Sequence, residues 1–185
     1  MEILETKLEG PLLLKPRVHG DERGFFLESY RRHAYAVLGI IEEFVQDIHS
    51  RSGRSVVRGM HFQIGSGQSK LIRCVRGAVF DVLVDVRRGS PTFGEWEAYE
   101  LNEGNRHQLY CPVGFAHGFC VTSSIADVLY KCSAYYDPRA ERGIAYNDPD
   151  VAIEWPELDL TPSARDAGAP SLREVAPELT FDYEA

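Results

Sequence analysis

Between about residues 45 and 135 apolar and polar side chains alternate in short runs, cut by Gly, Pro and Asn. A period of two puts successive side chains on opposite faces of a strand, so this region reads as a series of short strands. The clearest expected hairpin covers residues 70–86, with one arm at 71–75, a turn at Arg76-Gly77 and a second arm at 78–86. In that second arm Val82, Val84 and Val86 share one face, and Asp81, Leu83 and Asp85 share the other. Residues 89–94 read as loop, and further strands are expected at 107–111, 118–122 and 128–135. Even strand spacing with turn punctuation predicts an all-β fold, a sandwich or barrel of jelly-roll type with a few short peripheral helices. Helical patterning is sparse. One helix is expected over 28–38, ended by Gly39, and a second opens at Thr161-Pro162 with a cap and a proline at its first position. Ser171-Leu172-Arg173-Glu174 has capping-box spacing for a third. No repeat or linker divides residues 1–185, which read as one domain, with a Pro-, Asp- and Glu-rich extension from about 138 expected to pack on the barrel.

Charge narrows the function classes. The net charge of −8 lies in residues 147–185, which hold ten acids and two bases, while residues 1–146 hold eighteen of each. No basic field exists to attract nucleic acid, so an anionic ligand must be held by local arginines and lysines. No apolar run reaches the length of a membrane span, and the start, Met1-Glu2-Ile3-Leu4-Glu5, is acidic where a signal peptide is basic. Cys74, Cys111, Cys120 and Cys132 form no CxxC pair and sit in apolar runs, which suits reduced, buried thiols of a cytoplasmic protein.

The chemistry concentrates in Arg58-Gly59-Met60-His61-Phe62-Gln63 and Lys70-Leu71-Ile72-Arg73. Burying so many polar groups is costly unless something binds them, so the stretch is either an anion site with a proton-moving histidine or an exposed strand with ordinary charges. Downstream, Pro112-Val113-Gly114-Phe115-Ala116-His117 resembles the second sequence motif of the cupin superfamily of small barrels. The first cupin motif in its metal-binding form has HxH followed by a glutamate. In that register this chain has His61, then Gln63 for the second histidine and Lys70 for the glutamate. An amide is a poor metal ligand and an ammonium repels a cation, so a site without metal is expected. A histidine backed by a carboxylate serves as general base near neutral pH. Lys70 and Arg58 could stabilise an oxyanion beside it, and Tyr130 could act as an acid, or be a half-buried strand tyrosine with a satisfied hydroxyl.

Taken in order along the chain, the motifs are similar to those of the dTDP-4-dehydrorhamnose 3,5-epimerase family of nucleotide-sugar enzymes. They are Asp21-Glu22-Arg23-Gly24-Phe25-Phe26-Leu27-Glu28, Gln46-Asp47-Ile48-His49-Ser50, Arg58 to Gln63, Gly77-Ala78-Val79-Phe80-Asp81-Val82 and Gly89-Ser90-Pro91-Thr92-Phe93-Gly94-Glu95-Trp96. Pro112 to Phe119, Tyr130 to Tyr136 and Asn147-Asp148-Pro149 complete the series. The resemblance implies a cofactor-free epimerase acting on a dTDP-4-keto-6-deoxyhexose, and a homodimer. It implies His61 as general base, Asp166 as its paired carboxylate, Tyr130 as the opposite-face acid and Lys70 as a cation near the ketone. It also implies that Arg58, Arg23, Phe25, Glu28, Gln46, His117 and Tyr136 bind the nucleotide sugar. His49 reads equally as a core histidine, while His19, His33 and His107 read as surface or structural. The chain departs from the family pattern at Ile48, where members usually carry Asn, and in a His61-to-Lys70 loop about a residue short. Both departures bear on whether C3 and C5 are both inverted, or C3 alone.

Overall fold

The structure, a computed structural model, describes residues 1–183. In chain order its strands begin with β1 (Glu2–Leu4), β2 (Leu12–Lys15), β3 (Val18–Asp21), β4 (Gly24–Leu27), β5 (Gln46–Gly53), β6 (Val57–Gln63) and β7 (Lys70–Arg76). They continue with β8 (Ala78–Asp85), β9 (Trp96–Asn102), β10 (Gln108–Cys111), β11 (Phe115–Val121), β12 (Ile125–Cys132) and β13 (Glu141–Gly143). One sheet runs β1-β2-β10-β7-β12-β5, the second runs β13-β6-β11-β8-β9, and β3 and β4 make a separate hairpin. Neighbouring strands pair antiparallel, and most are distant in sequence, the jelly-roll arrangement that the strand spacing implied.

The hairpin expected over 70–86 does not form. β7 pairs with β10 and β12, whereas β8 pairs with β11 and β9 in the other sheet. Each arm has an apolar face, Ile72 and Cys74 on β7 and Val79 and Leu83 on β8, and all four side chains meet in the core between the sheets. The arms therefore stack face to face, and Arg76-Gly77 is a corner between sheets. Gly77 makes that corner possible: it has φ +72°, and an added Cβ would lie 2.0 Å from the Ile125 carbonyl oxygen. Gly77→Ala is expected to lower stability by more than the ~1–2 kcal/mol that left-handed backbone costs an L-residue, because backbone also fills the space. Urea denaturation, read as a lower midpoint at constant slope, checks this.

The two faces of β8 lie in different cores. Val79 and Leu83 point between the sheets, while Val82, Val84 and Val86 are buried outside, under Ile144, Val151, Leu172, Val175, Leu179 and Phe181 from the C-terminal extension. A third cluster, with Leu14, Tyr35, Ile40, Leu71 and Tyr110, covers the outer face of the first sheet. All four cysteines are free and buried. No helix among the described residues is long and apolar enough to cross a membrane.

The helices are shorter than the patterning suggested. α1 spans only Arg32–Ala36, and its N-cap Arg31 makes no side-chain cap bond. Residues before it stay extended, so the start expected at 28 is wrong by a turn for want of a capping oxygen. α2 spans Ala164–Ala167, and its cap is Ser163, not Thr161. Thr161 is held extended because its backbone bonds to Ser55 and Val57, a tertiary bridge that outcompetes the local cap. α3 spans Leu172–Val175 and carries the full Ser171–Glu174 capping box. Strand ends also move: β12 stops at Cys132, leaving Tyr135 and Tyr136 in a loop.

Candidate active site

A cavity of about 510 Å³ lies between the sheets at the end of the barrel where polar side chains point inward, lined by Arg58, His61, Lys70, His117, Tyr130 and Asp166 among others. Its centre is set by two facing strands. His61 on β6 is the register partner of His117 on β11, with an irregularity in register before Phe119. Gly59 and Gly118 allow the close approach: a Cβ on Gly59 would lie 2.4 Å from the Gly118 Cα, and one on Gly118 would lie 2.5 Å from Met60 Sδ. On its other edge β6 pairs with β13, which sets Gly143 opposite His61 and Glu141 opposite Gln63.

His61 Nε2 lies 2.7 Å from Asp166 Oδ1. Asp166 is buried and its backbone N–H donates to the Ser163 cap at 3.1 Å, so the short helix α2 delivers the carboxylate to the ring. An ionised carboxylate only accepts, which puts the ring proton on Nε2 and leaves the Nδ1 lone pair free. Burial holds His61 below its usual range, offset in part by Asp166, while Lys70 lowers it further. The lowering favours the neutral ring, the form that accepts a proton. Lys70, the first residue of β7, is buried and donates from Nζ to the His61 carbonyl at 3.3 Å. Arg58 donates through Nε to the buried Ser52 hydroxyl at 2.9 Å, its one side-chain hydrogen bond among the described residues. Tyr130 on β12 stands edge-on to His117, with ring centres 6.3 Å apart, and burial raises its pKa and keeps it protonated. His117 is fixed from behind, its Nε2 lying 3.0 and 3.2 Å from the two oxygens of the fully buried Asp81.

The positions where a cupin metal site would have its remaining ligands do other work. Gln63 accepts from the Asp137 N–H at 2.6 Å and donates to the Tyr135 carbonyl at 3.4 Å, pinning the loop after β12. Gln46 accepts from the Tyr136 N–H at 3.0 Å on the same loop. Tyr136 Oη donates to Glu141 at 2.6 Å, and Glu141 in turn binds Arg165, which lines the cavity. Gln46 and Tyr136 thus stand beside the site without lining it. His49 is exposed on the outer face near Asp127, which removes the core reading.

Arg23, Phe25 and Glu28 are not brought to this cavity within one chain. Arg23 is exposed and ion-paired with Asp21. Phe25 lies under the Arg106 guanidinium at 4.1 Å, in a separate cavity with Arg73 and Gln108 against the first sheet. Glu28 pairs with Arg31 at 3.1 Å. Sequence reading alone assigned no role to Arg165, Glu141, Asp81 or Ser52. Asp81 sat inside a motif already singled out and Arg165 stands next to Asp166, while Ser52 and Glu141 carried no local signal, because their partners lie on other elements.

A carboxylate-backed histidine, inward cations and a protonated tyrosine around a sugar-sized space can take a proton from one face of a carbon and return one to the other. The class that this fold and cavity define is therefore a jelly-roll epimerase working by acid–base chemistry. The dTDP-4-dehydrorhamnose 3,5-epimerase family profile matches residues 5–174. The chain is 49% identical over 175 residues to the dTDP-4-dehydrorhamnose 3,5-epimerase of Salmonella typhimurium, covering 93% of this chain and 96% of that one. The crystal structure of dTDP-6-deoxy-D-glucose-3,5-epimerase from Legionella pneumophila, in complex with dTDP-4-keto-L-rhamnose, superposes with a TM-score of 0.96 at 45% identity, covering 100% and 99% of the two chains. A 3'-monoepimerase from Streptomyces bikiniensis, in complex with dTDP-quinovose, gives 0.86 at 35% identity, covering 94% and 89%. The chain belongs to the dTDP-4-dehydrorhamnose 3,5-epimerase family.

Proposed function

We propose that this chain epimerises dTDP-4-dehydro-6-deoxyglucose at C3 and C5 to dTDP-4-dehydro-L-rhamnose, with its own side chains as the acid and base. The observation that carries the reading is the His61–Asp166 pair, 2.7 Å apart, in a cavity shared with Lys70, Arg58 and Tyr130. The C4 ketone acidifies the neighbouring C–H bonds. His61 Nδ1 takes the proton at C3 or C5, and the electron pair of that bond moves onto the ketone oxygen to give an enolate. The resulting imidazolium is stabilised by Asp166. Lys70 and Arg58 offer fixed positive charge to the enolate oxygen, in a setting where such charge acts more strongly than in water. Tyr130 Oη then donates its proton to the same carbon from the other face, and proton exchange with solvent restores both groups. Each inversion therefore brings one solvent-derived proton into the sugar. Proton NMR in deuterium oxide tests the reaction: deuterium at both C3 and C5 is expected, and a sugar that stays unlabelled overturns it.

A C3-only epimerase is the second reading. Ile48 is the register partner of Tyr130, so a branched aliphatic side chain stands beside the proposed acid. Label confined to C3 would select this alternative.

A homodimer belongs to the same proposal. Arg23, Phe25 and Glu28 are implied as substrate residues yet lie outside the cavity of their own chain, and Phe25 and Phe26 on the β3–β4 hairpin are 59% and 71% exposed. β5 is one of the two edges of its sheet, with backbone groups available for pairing. A second copy presenting this hairpin to the cavity would account for both facts. Phe26→Asp is expected to shift sedimentation from dimer to monomer and to raise KM for the nucleotide sugar. A native monomer with full activity would remove the dimer from the proposal.

A further inference from the structure

Glu141 is placed to act on the His61 ring from the strand beside it. It lies on β13, two residues before Gly143 and therefore on the same strand face, and Gly143 is opposite His61. A Cβ on Gly143 would come 3.6 Å from His61 Cδ2, so this face of β13 looks onto the imidazole. The Glu141 side chain is only 13% exposed and holds Arg165 Nη2 at 2.7 Å. Its Oε2 also accepts the Tyr136 hydroxyl at 2.6 Å. Arg165 is the residue before Asp166, on the same short helix, and lines the cavity. The guanidinium one residue from the orienting carboxylate is thus neutralised by a different acid on a different strand.

We propose that Glu141 is a positioning residue that sets the charge state of His61, by holding Arg165 on itself, clear of the His61–Asp166 pair, and by adding its own negative charge on that side of the ring. The inference rests on the reading of His61 as the base, but its primary test does not. The groups facing His61 are Asp166 and Arg165 from α2, Lys70 from β7, His117 from β11 with Asp81 behind it, Arg58 from β6, Tyr130 from β12 and Glu141 from β13. Glu141 favours the protonated ring and Lys70 opposes it. Loss of Glu141 removes a negative charge and also frees Arg165, and both changes disfavour imidazolium. Loss of Arg165 leaves Glu141 unneutralised, which favours it. The two single variants therefore move the base in opposite directions, a pattern that loosened packing alone does not produce.

The experiment is an NMR titration of the His61 ring in the full chain, with the folded state of each variant checked by circular dichroism. His61 is expected to titrate lower in Glu141→Gln and higher in Arg165→Gln, each by roughly 0.3–1 pH unit for a partly screened charge nearby. The double variant is expected to return toward the starting value, and Glu141→Asp, which keeps the charge, to stay there. Unchanged titration in both single variants, or shifts of the same sign, overturns the proposal. The acid limb of kcat/KM is recorded in parallel, moving to lower pH in Glu141→Gln and higher in Arg165→Gln. If the ring shifts and that limb does not follow, the coupling stands and His61 as the base fails.

Discussion

His61→Asn is expected to lower kcat/KM for the 4-keto sugar by about 10²–10⁴-fold, the usual contribution of a positioned general base, and to stop deuterium entry at both C3 and C5. The substitution leaves nucleotide binding largely intact, because the phosphates are expected to be held by guanidinium groups and not by this ring. Isothermal titration with the nucleoside diphosphate separates the two effects: near-native affinity with no exchange is the expected pair of results. Exchange at the unsubstituted rate in His61→Asn would remove the residue from the base role. Activity of the unsubstituted enzyme should also fall toward acid pH. His61 must be neutral to accept a proton, and its burial-lowered pKa places that loss below the ordinary imidazole value of 6.5.

Tyr130→Phe is expected to separate proton removal from inversion. The variant keeps the ring and its edge-on contact with His117 while losing the hydroxyl proposed to return the proton. With His61 as the proposed base the enolate still forms, and the imidazolium on the original face is placed to reprotonate it. Deuterium should then enter with retained configuration, while epimer formation falls about 10²–10⁴-fold. NMR of the recovered sugar reads both quantities in one sample. Inversion at the unsubstituted rate would show that the opposite-face proton comes from elsewhere.

Much of the site was legible because it depends on residue type at fixed spacing. His61, Gln63 and Lys70 lie in the register of a metal-binding barrel motif while carrying the wrong chemistry for a metal, and the structure gives both substitutes other partners, the 135–137 loop for Gln63 and the His61 carbonyl for Lys70. Asp166, by contrast, is separated from His61 by 105 residues. Only the resemblance pointed to it, and the geometry supplies the contact. Glu141 and Ser52 were not legible at all, since a strand acid and a strand serine look alike until their neighbours are known.

The expected hairpin failed for a related reason. Alternation states that a strand has an apolar face but not which strand will cover it. For β7 and β8 the two apolar faces covered each other across the core instead of lying side by side in one sheet. Similarly, Thr161 had the composition of a helix cap and was taken by a bridge to the start of β6.

By itself the sequence determined the all-β class, the absence of a basic field, the capping box at Ser171 and the cationic character of the stretch around His61. Each of these follows from local periodicity or from residue type. Tertiary structure decided which strands pair, that α2 carries Asp166 onto His61 at 2.7 Å, and that Arg23, Phe25 and Glu28 stand outside the cavity of their own chain. Those outcomes depend on which faces bury one another, and a face has no address in sequence until its partner is in place.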